Sequence, residues 1–341
     1  MSFPTLPMPR FSTPPKPSKI PSSSIKYGRL ASSTLTTPSL WYHSSQNVYI
    51  RYVYKGILVS VCIIVFYLLT DFWSWLQYHG DEEVHIGFGG SVNTYDPSSW
   101  KGQCKRSRIQ SPIDLSSSDT SYQWIEPLQF VNFNENEPLI LENTGMSVQL
   151  SGFADWTNRP QIQGGGLSGT YLLVQIHFHW GQNESHGSEH SINGLHYPAE
   201  AHFAFTKSGE AFEMIGIRKR TVDIHVLSVF LNIHPKLGVL APFEEELTRV
   251  KELDQKVGVY NLVPNDLLPK NLEHFYRYTG SLTTPPCTEG VIWTVMATPS
   301  DISQKQLNIL RQVRDKDGDV YIPGNYRNTQ YLNHRSLLFK I

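Results

Sequence analysis

The chain has 341 residues, with 29 Lys and Arg against 30 Asp and Glu, 13 His and 3 Cys. Its 40% hydrophobic and 12% aromatic content excludes a wholly disordered chain, and three cysteines exclude a disulfide-dense miniprotein or a four-thiolate zinc ribbon. A net charge of −1 argues against a nucleic-acid partner, but that average hides two unlike parts.

Residues 1–70 hold seven basic side chains (Arg10, Lys16, Lys19, Lys26, Arg29, Arg51 and Lys55) and no acid. The first carboxylate is Asp71; from there on, 22 basic and 30 acidic side chains give a net −8. Within residues 1–50, 24 positions are Pro, Ser or Thr. Proline bars regular helix and sheet interiors, and so little apolar mass does not offset the entropy of ordering. Residues 1–55 are therefore expected to form a basic, disordered tail. An acid-poor, Ser-rich segment also fits a transit peptide, which keeps a mitochondrial inner-membrane address open.

The next element is apolar, from Ile57 to Leu69. Tyr52, Tyr54 and Lys55 flank it on one side, and Phe72, Trp73 and Trp75 on the other. Aromatic residues at both ends suit two water–lipid boundaries, and Lys55 can snorkel. Gly56 to Leu76 gives 21 residues with one charge, enough to cross about 30 Å of hydrocarbon as a helix. The basic excess lies N-terminal to it and should stay cytosolic. More than 50 residues precede it, and Thr70-Asp-Phe-Trp73 offers no small-residue cleavage site, so an uncleaved signal anchor is expected rather than a signal peptide. This predicts a single-pass type II protein in contact with a lipid bilayer, with residues 77–341 extracellular or lumenal.

Beyond residue 80, short apolar stretches alternate with turn signals such as Asp96-Pro97, Gly164-Gly-Gly166, Asn193-Gly194 and Pro323-Gly324. That pattern predicts one large, mostly β domain. The best helix candidate is 301–314, opening on an Asp or Ser cap. The strongest strands are Tyr171–Trp180 and Tyr197–Phe205. Between them, Asn193-Gly194 suits a two-residue hairpin turn, placing Ile192 opposite Leu195 and, extended outward, Glu189 opposite Pro198.

On a strand, residues two apart share a face. Gln175, His177 and His179 thus point one way and Ile176, Phe178 and Trp180 the other; Glu200, His202 and Ala204 share a face of the later strand. Two histidines from one strand and a third from a neighbour give three nitrogen ligands with a fourth position open, the pattern of a catalytic zinc site. A zinc-bound histidine usually gives its other N–H to an oxygen acceptor, and Gln175 and Glu200 are placed to serve.

Here the sequence resembles the α-class carbonic anhydrases, from about Asp81 to Ile341. Six ordered segments carry the resemblance: Gln110-Ser-Pro-Ile-Asp114, Gln175–Gly181, Gly187-Ser-Glu-His190, Glu200-Ala-His202, Tyr278-Thr-Gly-Ser-Leu-Thr-Thr-Pro-Pro286 and Asn325-Tyr-Arg327. The resemblance implies an α+β fold that is mostly β: a single large domain with a twisted, mainly antiparallel central sheet, short peripheral helices and zinc at the bottom of a cleft. It implies reversible hydration of CO2 to bicarbonate by attack of zinc-bound hydroxide, whose parent water has a pKa near about 7 in carbonic anhydrases generally. Zinc falls to His177, His179 and His202. Thr283 matches the hydroxyl that accepts from the hydroxide and donates to a buried glutamate, here Glu189; an ionised carboxylate can only accept. Thr284 matches a polar neighbour of the substrate. Gln175 and Glu200 match the residues that orient ligand histidines, and Asn325 the residue whose backbone holds one. The apolar CO2 pocket maps to Ala204, Val226, Leu282, Val291 and Trp293. Cys104 and Cys287 match a disulfide pair found in secreted and membrane-bound relatives, which suits an oxidising compartment. His190 matches a structural residue.

Two positions depart from the family pattern. Met146 stands where many fast members carry a proton-shuttling histidine, which predicts active but buffer-dependent turnover. Phe88 stands where many have a tyrosine; His79 and His85 are candidate alternative relays. Cys62 reads as a small apolar residue of the span. Asn183-Glu-Ser185 is an N-glycosylation sequon. His186, His196, His225, His234, His274 and His334 read as surface or satisfied core residues. A non-catalytic binding module on the same fold would be marked by loss of a ligand histidine, whereas all three are present; ester hydrolysis remains open as a side activity.

Overall fold

A computed structural model divides the chain into two compact units, Met1–Asp81 and Glu82–Ile341. It describes residues 97–207, 223–235, 238–315 and 321–341, together with 52, 53, 55, 57–61, 63, 65, 66 and 70 of the first unit. These positions of the first unit are helical, and Leu58 and Phe66 are exposed. Among the described residues no helix is long and apolar enough to cross a membrane. The predicted tail up to residue 51, Cys62, the end of the predicted span at 71–76, His79, His85 and Phe88 lie outside the described residues.

The second unit is built of short strands, as the spacing of turn signals predicts. They are β1 Asp114–Leu115, β2 Thr120–Gln123, β3 Leu128–Val131, β4 Leu139–Asn143, β5 Val148–Ser151, β6 Gln161–Gly164, β7 Tyr171–Trp180, β8 Ser191–Ile192, β9 Ala199–Thr206, β10 Ile224–Ile233, β11 Lys256–Val259, β12 Phe275–Ser281, β13 Glu289–Met296, β14 Ser300–Ile302 and β15 Leu337–Lys340. Thirteen of them form one sheet in the order β11-β4-β5-β7-β9-β10-β13-β12-β15-β2, with β14 on β10 and β3 reaching β7 through β6. Most pairs are antiparallel, but β10–β13, β10–β14 and β15–β2 are parallel, so the sheet is mixed. β1 and β8 form a separate parallel pair.

Both faces of the central strands are covered, and β9 is buried along its whole length. That is why its sequence reads as a near-continuous apolar run rather than a clean alternation. One face joins Ile176, Phe178, Trp180, Phe203, Phe205, Leu227 and Val229 in the larger core. The other face carries Ala204, Val226, Phe230, Val291, Trp293 and Tyr278 in a smaller cluster. The polar positions of β7 and β9 point to this second side.

Among the described residues of the second unit the α-helices are short: Gln103–Arg106, Glu244–Thr248 and Gln304–Leu310. The candidate at 301–314 shrinks at both ends. Asp301 and Ile302 belong to β14, which pairs with Asn232 and Ile233. Ser303 is the cap: its Oγ accepts from Gln306 N at 3.1 Å while Gln306 Oε1 accepts from Ser303 N at 3.2 Å, a reciprocal capping box.

The Asn193-Gly194 turn forms as predicted. Both residues have positive φ, 49° and 79°, and Ile192 and Leu195 exchange two 3.0 Å hydrogen bonds. The outward extension does not follow. The next bond joins Ser188 N to Tyr197 O, two residues out of the register that would pair Glu189 with Pro198. Asp114 is the cause: its carboxylate accepts from Ser191 Oγ at 2.6 Å and Gly194 N at 2.8 Å, drawing β8 onto β1. The predicted strand 197–205 accordingly begins two residues later, at Ala199.

Candidate metal centre

β7 and β9 pair antiparallel with His177 opposite His202, His179 opposite Glu200, and Gln175 opposite Ala204. Directly opposite residues share a face, so this register gathers the histidines that sequence places on two separate strands. The ligand-capable nitrogens of His177, His179 and His202 all lie within 4.8 Å of one another, and all three residues are buried.

Burial leaves these rings uncharged. It lowers His177 well below the ordinary imidazole value, with His179 and His202 beside it adding to the effect. His179 falls to about 3 for the same first reason, and His202 is lowered by burial although Glu200 opposes the shift. Neutral imidazole is the form that ligates a metal.

Orientation is fixed from behind. The backbone carbonyl of Asn325 accepts the Nδ1 proton of His179 at 2.6 Å, leaving the Nε2 lone pair free. That Nε2 is buried and has no hydrogen-bond partner. His202 gives its Nε2 proton to Glu200 Oε1 at 2.7 Å, which turns Nδ1 toward the other rings. An orphaned nitrogen facing two neutral imidazoles fits a metal with nitrogen ligands. Gln175 is buried with Oε1 unpartnered, two residues from His177 on the same face.

His190, Glu200 and His202 also lie within metal-ligating distance of one another. Their atoms are already engaged. Glu200 Oε1 accepts from His190 Nδ1, His202 Nε2 and Ser228 Oγ, and Oε2 accepts from His190 N. His190 Nε2 meets Tyr278 Oη at 2.7 Å, and that hydroxyl meets Ser111 Oγ at 2.8 Å. Burial alone would raise Glu200, but His190 and the hydrogen bonds from His190 and His202 hold it well below the carboxylate range. This is an anionic hub that orients His202.

Glu189 lies 3.6 Å from His179 Nε2 and 3.9 Å from His202 Nδ1. Burial pushes its carboxyl well up, with Glu200 adding to that. Two donors oppose the shift: Arg327 N, at 2.9 Å from Oε1, and the Thr283 hydroxyl. Thr283 is buried in the loop between β12 and β13, and Thr284 is half-buried beside it. Leu282 N bonds Thr288 O and Cys287 N bonds Thr284 O, closing that loop. Ala204, Val226, Val291 and Trp293 are buried in one cluster, with Leu282 packed against it.

Cys104 and Cys287 form a disulfide with a Cα–Cα distance of 5.0 Å. Arg327 ties it to the site. Its Nη2 donates to Cys104 O, its Nη1 to Gln110 Oε1 and Ser111 O, and its backbone N to Glu189. Met146 is half-buried in the β4–β5 turn, where its carbonyl accepts from Asn325 Nδ2 at 3.0 Å. Asn183 is exposed, and its Oδ1 accepts from Ser185 N and Oγ.

Sequence reasoning gave no role to Arg327, Ser111 or Tyr278, although each stands in a segment quoted for the family resemblance. The available signal was chemical: an arginine two residues after Asn325 needs buried acceptors if it does not reach solvent. His225 is a correction. It is fully buried, but its Nδ1 has no partner, so it is not a satisfied core histidine.

Residues 95–341 match the family model described as eukaryotic-type carbonic anhydrase. The chain is 39% identical over 257 residues to "Putative carbonic anhydrase 5" of Caenorhabditis elegans, covering 74% of this chain and 82% of that protein. It is 36% identical over 230 residues to "Putative carbonic anhydrase 3" of the same organism, covering 67% and 89%. To carbonic anhydrase 12 of Homo sapiens it is 34% identical over 240 residues, covering 67% and 65%.

Proposed function

The chain belongs to the eukaryotic-type carbonic anhydrase family, enzymes that catalyse CO2 hydration, and from that premise we propose how its own residues serve the reaction. His177, His179 and His202 hold a zinc ion. The observation that carries this assignment is the His179 ring, with Nδ1 locked by Asn325 and Nε2 buried without a partner between two neutral imidazoles. Bound there, zinc supplies a Lewis acid that makes water nucleophilic near neutral pH.

Glu189 accepts the Thr283 hydroxyl proton, with Arg327 N holding the carboxylate in place. Thr283 Oγ1 then remains an acceptor for the attacking water, so a lone pair of that water is turned toward the substrate. CO2 carries no charge, and the apolar side chains of Ala204, Val226, Leu282, Val291 and Trp293 hold it loosely, with Thr284 as polar neighbour. Gln175 Oε1, unpartnered two residues from His177 on the same face, is placed to accept the His177 ring proton, and Glu200 is the acceptor for that of His202. Met146 offers no acid–base group near neutrality, so proton export depends on external buffer.

The same reading extends to the chain's setting. The acid-free basic segment before residue 56 and the exposed apolar side chains between 57 and 66 support a type II anchor in a bilayer. The Cys104–Cys287 bond and the exposed Asn183 sequon support an oxidising, glycosylating compartment for the catalytic unit. Stopped-flow CO2 hydration by the purified, zinc-loaded chain, with and without imidazole, tests the proposal. Hydration that rises with imidazole is expected; absence of activity in zinc-replete protein overturns it.

A further inference from the structure

On the face of the sheet opposite the histidine triad, three buried polar atoms have no hydrogen-bond partner. They are Tyr171 Oη, His225 Nδ1 and Arg277 Nη2. Tyr171 and His225 are fully buried. They come from β7, β10 and β12, and they belong together. The Tyr171 and His225 rings lie 5.7 Å apart, centroid to centroid. Thr294 Oγ1 meets His225 Nε2 at 2.8 Å and Arg277 Nε at 2.9 Å. The Arg277 guanidinium lies over the Phe275 ring at 5.2 Å, inside the larger core.

The cluster is cationic, and the described residues supply no counterion. Among the described residues, no carboxylate lies within ion-pair distance of Arg277. Asp223, just before β10, is taken by Lys207 at 3.1 Å, and that lysine lies 5.9 Å from the Tyr171 ring. Arg277 is half-buried, with Nη2 shut away from solvent; a guanidinium stays charged, and a buried donor of a charged group left without a partner is costly. Burial lowers Arg277 to about 10, still well above neutrality.

The direction of the hydrogen bonds sets the sign of the missing partner. Arg277 Nε can only donate, so Thr294 Oγ1 accepts from it. That hydroxyl has one proton to give, and His225 Nε2 is the acceptor the described residues offer it, so a neutral His225 receives it there. His225 is left with its proton on Nδ1, the unpartnered atom. Nδ1–H, the Tyr171 hydroxyl and an Arg277 N–H are then three groups able to donate, each without a partner.

We propose that this cluster is a buried binding site for a small monovalent anion of chloride size or a compact oxyanion such as bicarbonate, held by Arg277, Tyr171 and His225. The site is separate from the metal centre: His225 lies on the opposite face from its neighbour Val226, which belongs to the cluster beside the histidine triad.

The test uses the full chain, metal-loaded and metal-free, so that anions at the metal are told apart from anions here. Thermal unfolding is followed while chloride or bicarbonate replaces gluconate at constant ionic strength. Wild-type protein is expected to gain a saturable rise in Tm with one of the two anions in both metal states. Arg277→Met and Tyr171→Phe should each weaken that dependence at least tenfold. In gluconate, Arg277→Met should be no less stable than wild type, since it removes an uncompensated charge. Bromide-soaked crystals should show anomalous density beside Arg277 Nη2 and Tyr171 Oη if the site takes halide. A Tm indifferent to both anions in the metal-free protein, or an anion dependence that survives Arg277→Met, overturns the proposal and leaves the cluster to buried water.

Discussion

His179 is held twice by one residue: the backbone carbonyl of Asn325 takes its ring proton at 2.6 Å, and the Asn325 side chain grips the strand beneath it. Asn325 Oδ1 accepts from Trp180 N at 2.7 Å, and Nδ2 donates to Phe178 O at 2.8 Å and Met146 O at 3.0 Å. Asn325→Ala keeps the carbonyl but loses the grip. Zinc affinity is expected to fall about 10–100-fold, the scale for losing a group that orients a ligand. Competition with a chelator measures it; unchanged affinity would show that the backbone contact suffices.

Met146 shares that asparagine, so its turn is fixed relative to His179. Met146→His should raise turnover in dilute buffer and flatten the response to imidazole. A well-placed proton-transfer group acts on the scale of about 10²-fold. If turnover in dilute buffer stays the same, proton export is limited elsewhere.

Tyr278 links Ser111 to the Glu200 hub through His190. Tyr278→Phe leaves the buried His190 Nε2 and Ser111 Oγ without that partner, at an expected cost of about 1–3 kcal/mol. Gly280→Ala attacks the same chain sterically, since a Cβ there would sit 2.0 Å from Ser111 Oγ. Urea midpoints at constant m-value check both, and parity with wild type would count against the linkage.

Reduction of Cys104–Cys287 should cost about 2–5 kcal/mol. The bond closes a separation of 183 residues and sits against Arg327, which carries Glu189. A Cys104→Ser, Cys287→Ser double variant, unfolded in urea beside the oxidised wild type, gives the difference directly. Equal midpoints would mean that Arg327 holds the region without it.

In the metal-free protein, acid should destabilise through the buried histidines. His177, His179, His202 and His225 are all held below the ordinary value of 6.5 by burial. Below pH 6.5 the unfolded chain takes up protons that the folded chain refuses, so stability falls as pH falls. For His179 the loss runs from 6.5 down to about 3, at about 1.4 kcal/mol per pH unit once well inside the window. Denaturation midpoints between pH 7.5 and 4.5 test this; a flat profile would contradict it.

Period-two spacing made the common face of His177 and His179 legible, and Asn-Gly chemistry made the 193–194 turn legible. Both are local properties of a few consecutive residues. The helix cap was legible only as a choice between Asp301 and Ser303, because β14 competes for the same residues. Contacts decided far along the chain were not legible from pattern. The two-residue departure at Ser188 comes from Asp114, and the Ser111–Tyr278 contact spans 167 positions. Family resemblance reached Asn325 and the disulfide but gave Arg327 no task, since a motif does not say where a side chain finds its acceptors. His225 shows the opposite failure: it reads as a surface or satisfied core residue, yet it is buried with Nδ1 unpartnered.

The contact that orients His179 comes from a residue 146 positions later, and Glu189 waits for Arg327, 138 positions later. A nascent chain emerging N-terminus first exposes all three ligand histidines long before either partner has been synthesised. Ribosome-bound intermediates therefore carry the ligands without the scaffold that aims them. On the proposed zinc assignment, productive metal acquisition belongs after translation of residue 327, and a premature stop between residues 203 and 327 yields a protein with His177, His179 and His202 but no finished site.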